Sequence, residues 1–170
     1  MKFLILSDTH RHTENIMRAV NLNRDADAIL FLGDGLSDID SLSCNGITCW
    51  CVRGNCDGFS LFSKEDAPDE LLHRFGEYNI MMMHGHLHGV KYGYTSAAEY
   101  AYSKGADILL FGHTHCPTEK YYPAGSAIGN TVTERPFRLF NPGSAGLGHP
   151  PTFGTLDITD KGIVFGHGEL

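Results

Sequence analysis

Histidine and aspartate recur in this chain at short spacings that suit metal coordination. Five polar sets stand out: Ser7-Asp8-Thr9-His10, Gly33-Asp34, Gly54-Asn55-Cys56-Asp57, His84-Gly85-His86 and Gly112-His113-Thr114-His115. Together they offer imidazole nitrogens, carboxylate oxygens and one amide oxygen. That mixture suits Mn, Fe, Zn, Ni or Co better than Mg or Ca, and it lacks the thiolates of structural zinc. Asp8, His10, Asp34, Asn55, His84, His113 and His115 make seven ligands. Seven are too many for one catalytic metal that keeps an open position, and about right for two metals sharing a carboxylate. In extended backbone residues i and i+2 point the same way, so Asp8 should converge with His10, and His113 with His115. Glycines before Asp34, Asn55 and His113 allow sharp turns that bring short side chains inward.

Each set follows an apolar run that reads as a buried strand: Lys2 to Leu6, Ala28 to Leu32, Ile47 to Val52, Asn79 to Met83 and Ile108 to Phe111. Ligands at the carboxyl ends of strands are where open α/β sheets place their sites. Between the first two runs, Glu14 to Asn23 carries a helical stripe (Ile16, Ala19, Val20, Leu22) that Thr13 could cap. This strand–helix–strand start implies a right-handed βαβ unit. Phe59 to Glu70, charged and containing Pro68, reads as a surface connection with at most one helical turn. Leu71 to Phe75 should pair with Asn79 to Met83 through a turn at Gly76 and Glu77. Thr95 to Lys104 is a second helix, capped by Thr95 or Ser96 and ended by Gly105. The remainder is strand and turn: Glu119 to Tyr122, Phe137 to Phe140, Thr152 to Ile158 and Ile163 to His167. The class is therefore α/β, a single domain over 1–170, with facing sheets and helices outside.

Twenty acidic against thirteen basic side chains give a formal charge of −7. That argues against a broad nucleic-acid surface, though not against a small phosphate ester or nucleotide bound locally by metals. The five cysteines, Cys44, Cys49, Cys51, Cys56 and Cys116, form neither a zinc ribbon nor an even disulfide framework. Cys49 and Cys51 read as strand packing in a reducing compartment. No run approaches transmembrane length, and Phe3 to Leu6 is too short for a signal-peptide core, so a soluble cytoplasmic protein without membrane partners is expected.

Taken in order, Asp-x-His, Gly-Asp, Gly-Asn-x-Asp, His-Gly-His and Gly-His-x-His over Asp8 to His115 resemble the signature of the calcineurin-like metallophosphoesterases. Asn141-Pro142-Gly143-Ser144 is similar to a loop of their small bacterial and archaeal phosphodiesterase branch. The resemblance implies a four-layer α/β/β/α sandwich of two mixed sheets with helices outside. It also implies two divalent metals, manganese first, with Fe, Zn, Ni or Co as alternatives. One metal would be held by Asp8, His10, Asp34 and His115, the other by Asp34, Asn55, His84 and His113, with Asp34 bridging. A hydroxide bridging the metals would then hydrolyse a phosphodiester.

The sequence departs from the pattern at Cys56, where many members of the superfamily carry the histidine thought to protonate the leaving group. A thiol with an unperturbed pKa of ~8.5 could donate a proton, but less readily than imidazolium. Cys56 and the neighbouring His86 are thus the candidate catalytic acids. Arg11 and Arg53 could bind phosphate or lie at the surface; Asp57 should fix the turn after Asn55. Asp38 and Asp40 read as loop charges, His12, His73, His88, His149 and His167 as ordinary, and Met81, Met82 and Met83 as core filler. Tyr92, Tyr94, Tyr100 and Tyr102 could line a wall or a homo-oligomer face. Three functional readings compete: a phosphodiesterase, a phosphomonoesterase, and an interaction scaffold that kept the fold without the chemistry, as a retromer subunit of the superfamily resembles. The full ligand set favours catalysis. A metallo-β-lactamase type is set aside because its His-x-His-x-Asp-His run is absent.

Overall fold

The structure is a computed structural model describing residues 1–43, 46–58 and 67–170. Most of the connection expected from residue 59 onward lies outside the described residues. Two five-stranded sheets stack face to face. The first, in the order β12-β11-β1-β2-β3, joins β1 (Lys2–Leu6), β2 (Ala28–Phe31), β3 (Thr48–Cys51), β11 (Thr152–Thr159) and β12 (Gly162–Glu169). The second, β4-β5-β6-β10-β7, joins β4 (Glu70–Phe75), β5 (Tyr78–Met83), β6 (Ile108–Phe111), β7 (Thr118–Tyr122) and β10 (Phe137–Asn141). Both sheets are mixed. β1, β2 and β3 run parallel in one and β5, β6 and β10 in the other, while antiparallel strands complete each sheet.

Strand alternation sorts the apolar side chains into three cores. Phe3, Ile5, Leu30 and Leu32 face Ile80, Met82, Ile108, Leu110 and Phe140 between the sheets. Leu4, Leu6, Ile29 and Phe31 point outward, beneath α1 (Thr13–Leu22) and α2 (Leu36–Ser43), which contribute Ile16, Ala19, Leu36 and Ile39. On the other side Met81, Met83, Leu109 and Phe111 meet Ala97, Ala98 and Ala101 of α3 (Thr95–Ser103). The layers run α/β/β/α, the sandwich that the motifs implied. Both faces of the central strands are covered, which is why β1, β2 and β6 are continuous apolar runs. Burying one Leu, Ile or Phe side chain of this kind is worth roughly 1.5–3 kcal/mol.

Several expectations need correction. Thr13 is the first residue of α1, and His12 occupies the cap position without a side-chain cap bond. Tyr94, not Thr95 or Ser96, precedes α3. Asp38 and Asp40 lie on helix α2 rather than in a loop, and Asp38 is buried. A two-residue hairpin, β8 (Ala127–Ile128) and β9 (Thr131–Val132), escaped the sequence reading. Cys49 and Cys51 share one face of β3 with sulfurs 3.6 Å apart, packed on the outer core as expected. No helix among the described residues is long and apolar enough to cross a membrane.

Candidate metal centre

The carboxyl ends of β1, β2, β3, β5 and β6 are each followed by one of the five polar sets, and that of β10 by the Asn141-Pro142-Gly143-Ser144 loop. Asp8 is fully buried. Its Oδ2 accepts from Ser7 Oγ at 2.5 Å and from the His113 N–H at 3.0 Å, which links the first and fifth sets. Its Oδ1 has no hydrogen-bond partner and faces His115 Nε2 at 3.2 Å, with His10 Nε2 and His84 Nε2 each at 3.9 Å. Asp34 is arranged likewise. Oδ1 accepts the Cys56 N–H at 2.7 Å, while Oδ2 faces His84 Nε2 at 3.5 Å and His10 Nε2 at 3.8 Å. His84 Nδ1 lies 2.7 Å from the Leu32 carbonyl, so its N–H donates there and leaves the Nε2 lone pair for the cluster. That lone pair approaches Asn55 Oδ1 and His113 Nδ1, both at 3.1 Å.

Two groups follow from these distances, Asp8–His10–His115 and Asp34–His84–His113, each with ligand atoms within 4.8 Å of one another. All seven predicted ligands therefore converge. The orphaned Asp8 Oδ1 and His10 Nε2 matter most, because a buried carboxylate oxygen without a donor costs on the order of 1–3 kcal/mol or more. A cation would satisfy both atoms at once. The donor set and the unspent lone pairs fit a metal.

Charge follows the same logic. Burial works against ionised Asp34, but His84 and the Cys56 N–H hold its carboxyl below the usual carboxylate range. Burial likewise opposes charge on His84, yet Asp34 and Asp8 raise its pKa above the ordinary value. A metal must displace a proton there, so its affinity rises with pH. His113 is pushed down to about 4 by burial and then by the charges of His84 and Lys91, so it presents a neutral imidazole.

The backbone explains how the side chains converge. Strand alternation does not do it: Asp8, His10, Asp34, His113 and His115 all have positive φ, between 44° and 67°. Each residue is held in a left-handed turn at a cost of roughly 1–2 kcal/mol. Neighbouring groups hold these turns in place. Asp57 accepts from the N–H groups of Asp34, Gly35, Leu36 and Gly54 at 2.7–2.9 Å, which clamps the second and third sets together over the start of α2. Gly112 is needed for close approach, since a Cβ there would collide with Ser7 and Asp8.

Cys56 and His86 sit at the rim. Cys56 is within 4.8 Å of the His10 and Asp34 ligand atoms and receives a hydrogen bond from Asn55 Nδ2 at 3.3 Å. Burial and then Asp34 push its thiol up to about 11. The His86 ring lies tilted against that of His84, with centroids 5.4 Å apart, its Nδ1 buried without a hydrogen-bond partner, and burial then His84 lower its pKa. His88 instead pairs with Glu70 at 2.6 Å and belongs to a structural network with Tyr100.

The residues that sequence reasoning missed are supports. Asn141 Nδ2 donates to the Gly112 carbonyl at 2.9 Å and to Thr114 Oγ1 at 3.1 Å. Ser144 Oγ donates to the Asp8 carbonyl at 2.8 Å. The Asn-Pro-Gly-Ser loop thus fastens both the first and the fifth sets, and its motif was the only signal for this role.

Comparison with known proteins identifies the family. The calcineurin-like phosphoesterase superfamily domain matches residues 1–161. A probable metallophosphoesterase of Bacillus subtilis, YsnB, is 32% identical over 147 residues, 86% of this chain and 76% of that protein. A structure described as a novel archaeal phosphodiesterase superposes with a TM-score of 0.72 at 25% identity, covering 100% of both chains. Vps29 of Entamoeba histolytica in complex with zinc shares the fold, with a TM-score of 0.67 at 21% identity over 99% of each chain. The chain belongs to the calcineurin-like phosphoesterase superfamily.

Proposed function

We propose that the chain is a phosphodiesterase that works with two divalent metals, manganese foremost. Asp8, His10, Asp34 and His115 would hold one metal and Asp34, Asn55, His84 and His113 the other, with Asp34 common to both sets. The observation that carries this reading is the pair of orphaned atoms, Asp8 Oδ1 and His10 Nε2, inside a ring of lone pairs that no proton can satisfy together. When bound, two such cations supply Lewis-acid charge for phosphoryl oxygens and lower the pKa of coordinated water towards neutrality.

The chain's own residues do the rest. Ser7, Asn141 and Ser144 orient the Asp8 and His113 turns, and Asp57 holds the Asp34 turn. Cys56, its thiol held at about 11 in the metal-free chain, keeps its proton through neutral pH. It suits a basic alkoxide leaving group, whereas p-nitrophenolate needs no donor. His86, with its lowered pKa, contributes as a neutral hydrogen-bonding group at the rim.

The test is hydrolysis of bis-p-nitrophenyl phosphate by metal-stripped protein before and after addition of Mn²⁺, with p-nitrophenyl phosphate alongside. Metal-dependent turnover favouring the diester supports the proposal. Preference for the monoester would make the chain a phosphomonoesterase. The zinc complex of Vps29 means that metal retention alone does not separate an enzyme from a scaffold. Folded, metal-loaded protein without turnover would point to the scaffold reading.

A further inference from the structure

Among the described residues, the non-glycine positions with left-handed backbone are five of the proposed ligands and Arg11, whose φ is 72°. Arg11 follows His10, at φ 44°, so the chain takes two left-handed steps in succession. Asp38, buried on the first turn of α2, fixes the second step: it accepts from Thr9 Oγ1 at 2.6 Å and from the Arg11 N–H at 2.9 Å. Glycine would adopt this conformation without strain, so the backbone gives no reason for arginine. Packing gives none either, because the Arg11 side chain is exposed and makes no hydrogen bond or ion pair with any described residue.

Arg11 lines a cavity of about 290 Å³ whose other walls are His10, Asp34, Ser37, Asp38, Cys56 and Asp57. The three carboxylates there are committed: Asp34 to the metal centre, Asp38 to the Thr9–Arg11 turn and Asp57 to four backbone N–H groups. Arg11 is left as an unspent cation beside His10 and Cys56, in a cavity that His84 and His113 do not line. A planar guanidinium fork matches phosphate oxygens in pairs.

Building on the metal-centre reading above, we propose that Arg11 forms a second anion subsite. It selects phosphodiesters whose alcohol carries a further phosphate group beside the scissile one; a nucleoside bisphosphate presents the same pair of phosphates as the product of such a cleavage. The metals take one phosphate and Arg11 the other.

The test is calorimetric binding of thymidine 3′,5′-bisphosphate and thymidine 5′-monophosphate to manganese-loaded protein, for the wild type, Arg11→Gly and Arg11→Lys. The wild type should bind the bisphosphate about tenfold more tightly or better, as charge-assisted hydrogen bonds allow. Arg11→Gly should bring the ratio to within about twofold, with an unchanged or higher melting temperature because glycine relieves the turn. Arg11→Lys, a point charge without the fork, should fall between. Arg11→Gln gives the same reading should glycine loosen the turn. A ratio near one in the wild type, or the wild-type ratio retained without Arg11, overturns the subsite. Binding is read without turnover. Absent hydrolysis with an intact ratio would therefore remove the esterase reading and leave the subsite, and the reverse result would remove only the subsite.

Discussion

The two poles of the sandwich use charge in opposite ways. At the far pole, where β5, β6 and β10 begin, a cavity of about 470 Å³ is lined by Glu77, Tyr78, Asp107, Tyr121, Arg135, Arg138 and Lys161. It is larger than the cavity beside the metal centre, at about 290 Å³. Its charges, however, are largely matched. Arg135 pairs with Asp107 at 2.9 Å and lies over the Tyr102 ring, while Arg138 pairs with Glu119 at 3.4 Å and lies over Tyr121. At the other pole acceptors face acceptors: carboxylate oxygens and imidazole lone pairs point at one another, and buried atoms have no donor. Neutralised charge describes structure, whereas unspent lone pairs describe a ligand. Size alone would have chosen the wrong pole.

The largest effect expected from this contrast is at the carboxylate placed between the two groups. Asp34→Asn should lower Mn²⁺-dependent hydrolysis of bis-p-nitrophenyl phosphate by more than the 10–100-fold typical of supporting groups. It should also weaken the thermal stabilisation by metal. At a hundred times the dissociation constant, that stabilisation is about 2.7 kcal/mol, or roughly 5–10 °C for a chain of this size. Full activity in Asp34→Asn would remove the bridging role. Next in size is Asn141→Ala, which frees the Gly112 carbonyl and Thr114 from the supporting loop. Manganese affinity should fall about 10–100-fold while the melting temperature without metal moves less, as titration of the metal-stripped protein can show. Unchanged affinity would mean that the loop does not orient the ligands.

The candidate ligands were legible in the sequence because ligand chemistry is local: Asp8, His10, Asp34, Asn55, His84, His113 and His115 all lie in short polar sets that follow apolar runs. The geometry that joins them was not. Alternation along an extended chain predicted the convergence of Asp8 with His10, but left-handed turns produce it. Those turns depend on partners far along the chain, such as Ser144, 136 residues from Asp8. The strands were visible for a simple reason, since β1, β2 and β6 are buried on both faces. Helix α2 was not visible, because among its described side chains only Leu36 and Ile39 are deeply buried and apolar, and its polar positions look like a loop. Asp38 could not be recognised as a clamp without the fold that brings Thr9 and Arg11 to it.

Cys56 offers a sharper probe of the same pole. Burial, then Asp34, raises its thiol to about 11, so the thiolate appears only as the pH nears that value. In metal-free protein, alkylation of Cys56 by iodoacetamide at pH 8.5 should run about tenfold or more slower than for a thiol of ordinary pKa. Asp34→Asn should shift the labelling midpoint downward. A midpoint near 8.5 in the wild type would mean that the carboxylate does not act on the thiol. For diesters with an alkyl leaving group, a rate unchanged across pH in Cys56→Ser would exclude the thiol as the proton donor.

The smallest effect belongs to the far pole, and there the comparison is easiest to break. Arg138 and Glu119 are both partly exposed, with side-chain exposures of 29% and 40%. Water screens such a pair, so Arg138→Gln should cost no more than about 0.2–1 kcal/mol, a melting shift of under about 4 °C. Turnover of bis-p-nitrophenyl phosphate and manganese affinity should match the wild type, because the lengths of β5, β6 and β10 separate this pole from the ligand turns. If Arg138→Gln instead altered hydrolysis severalfold with the fold intact, the two poles would be coupled. The matched charges at the far end would then be part of the working site rather than its scaffold.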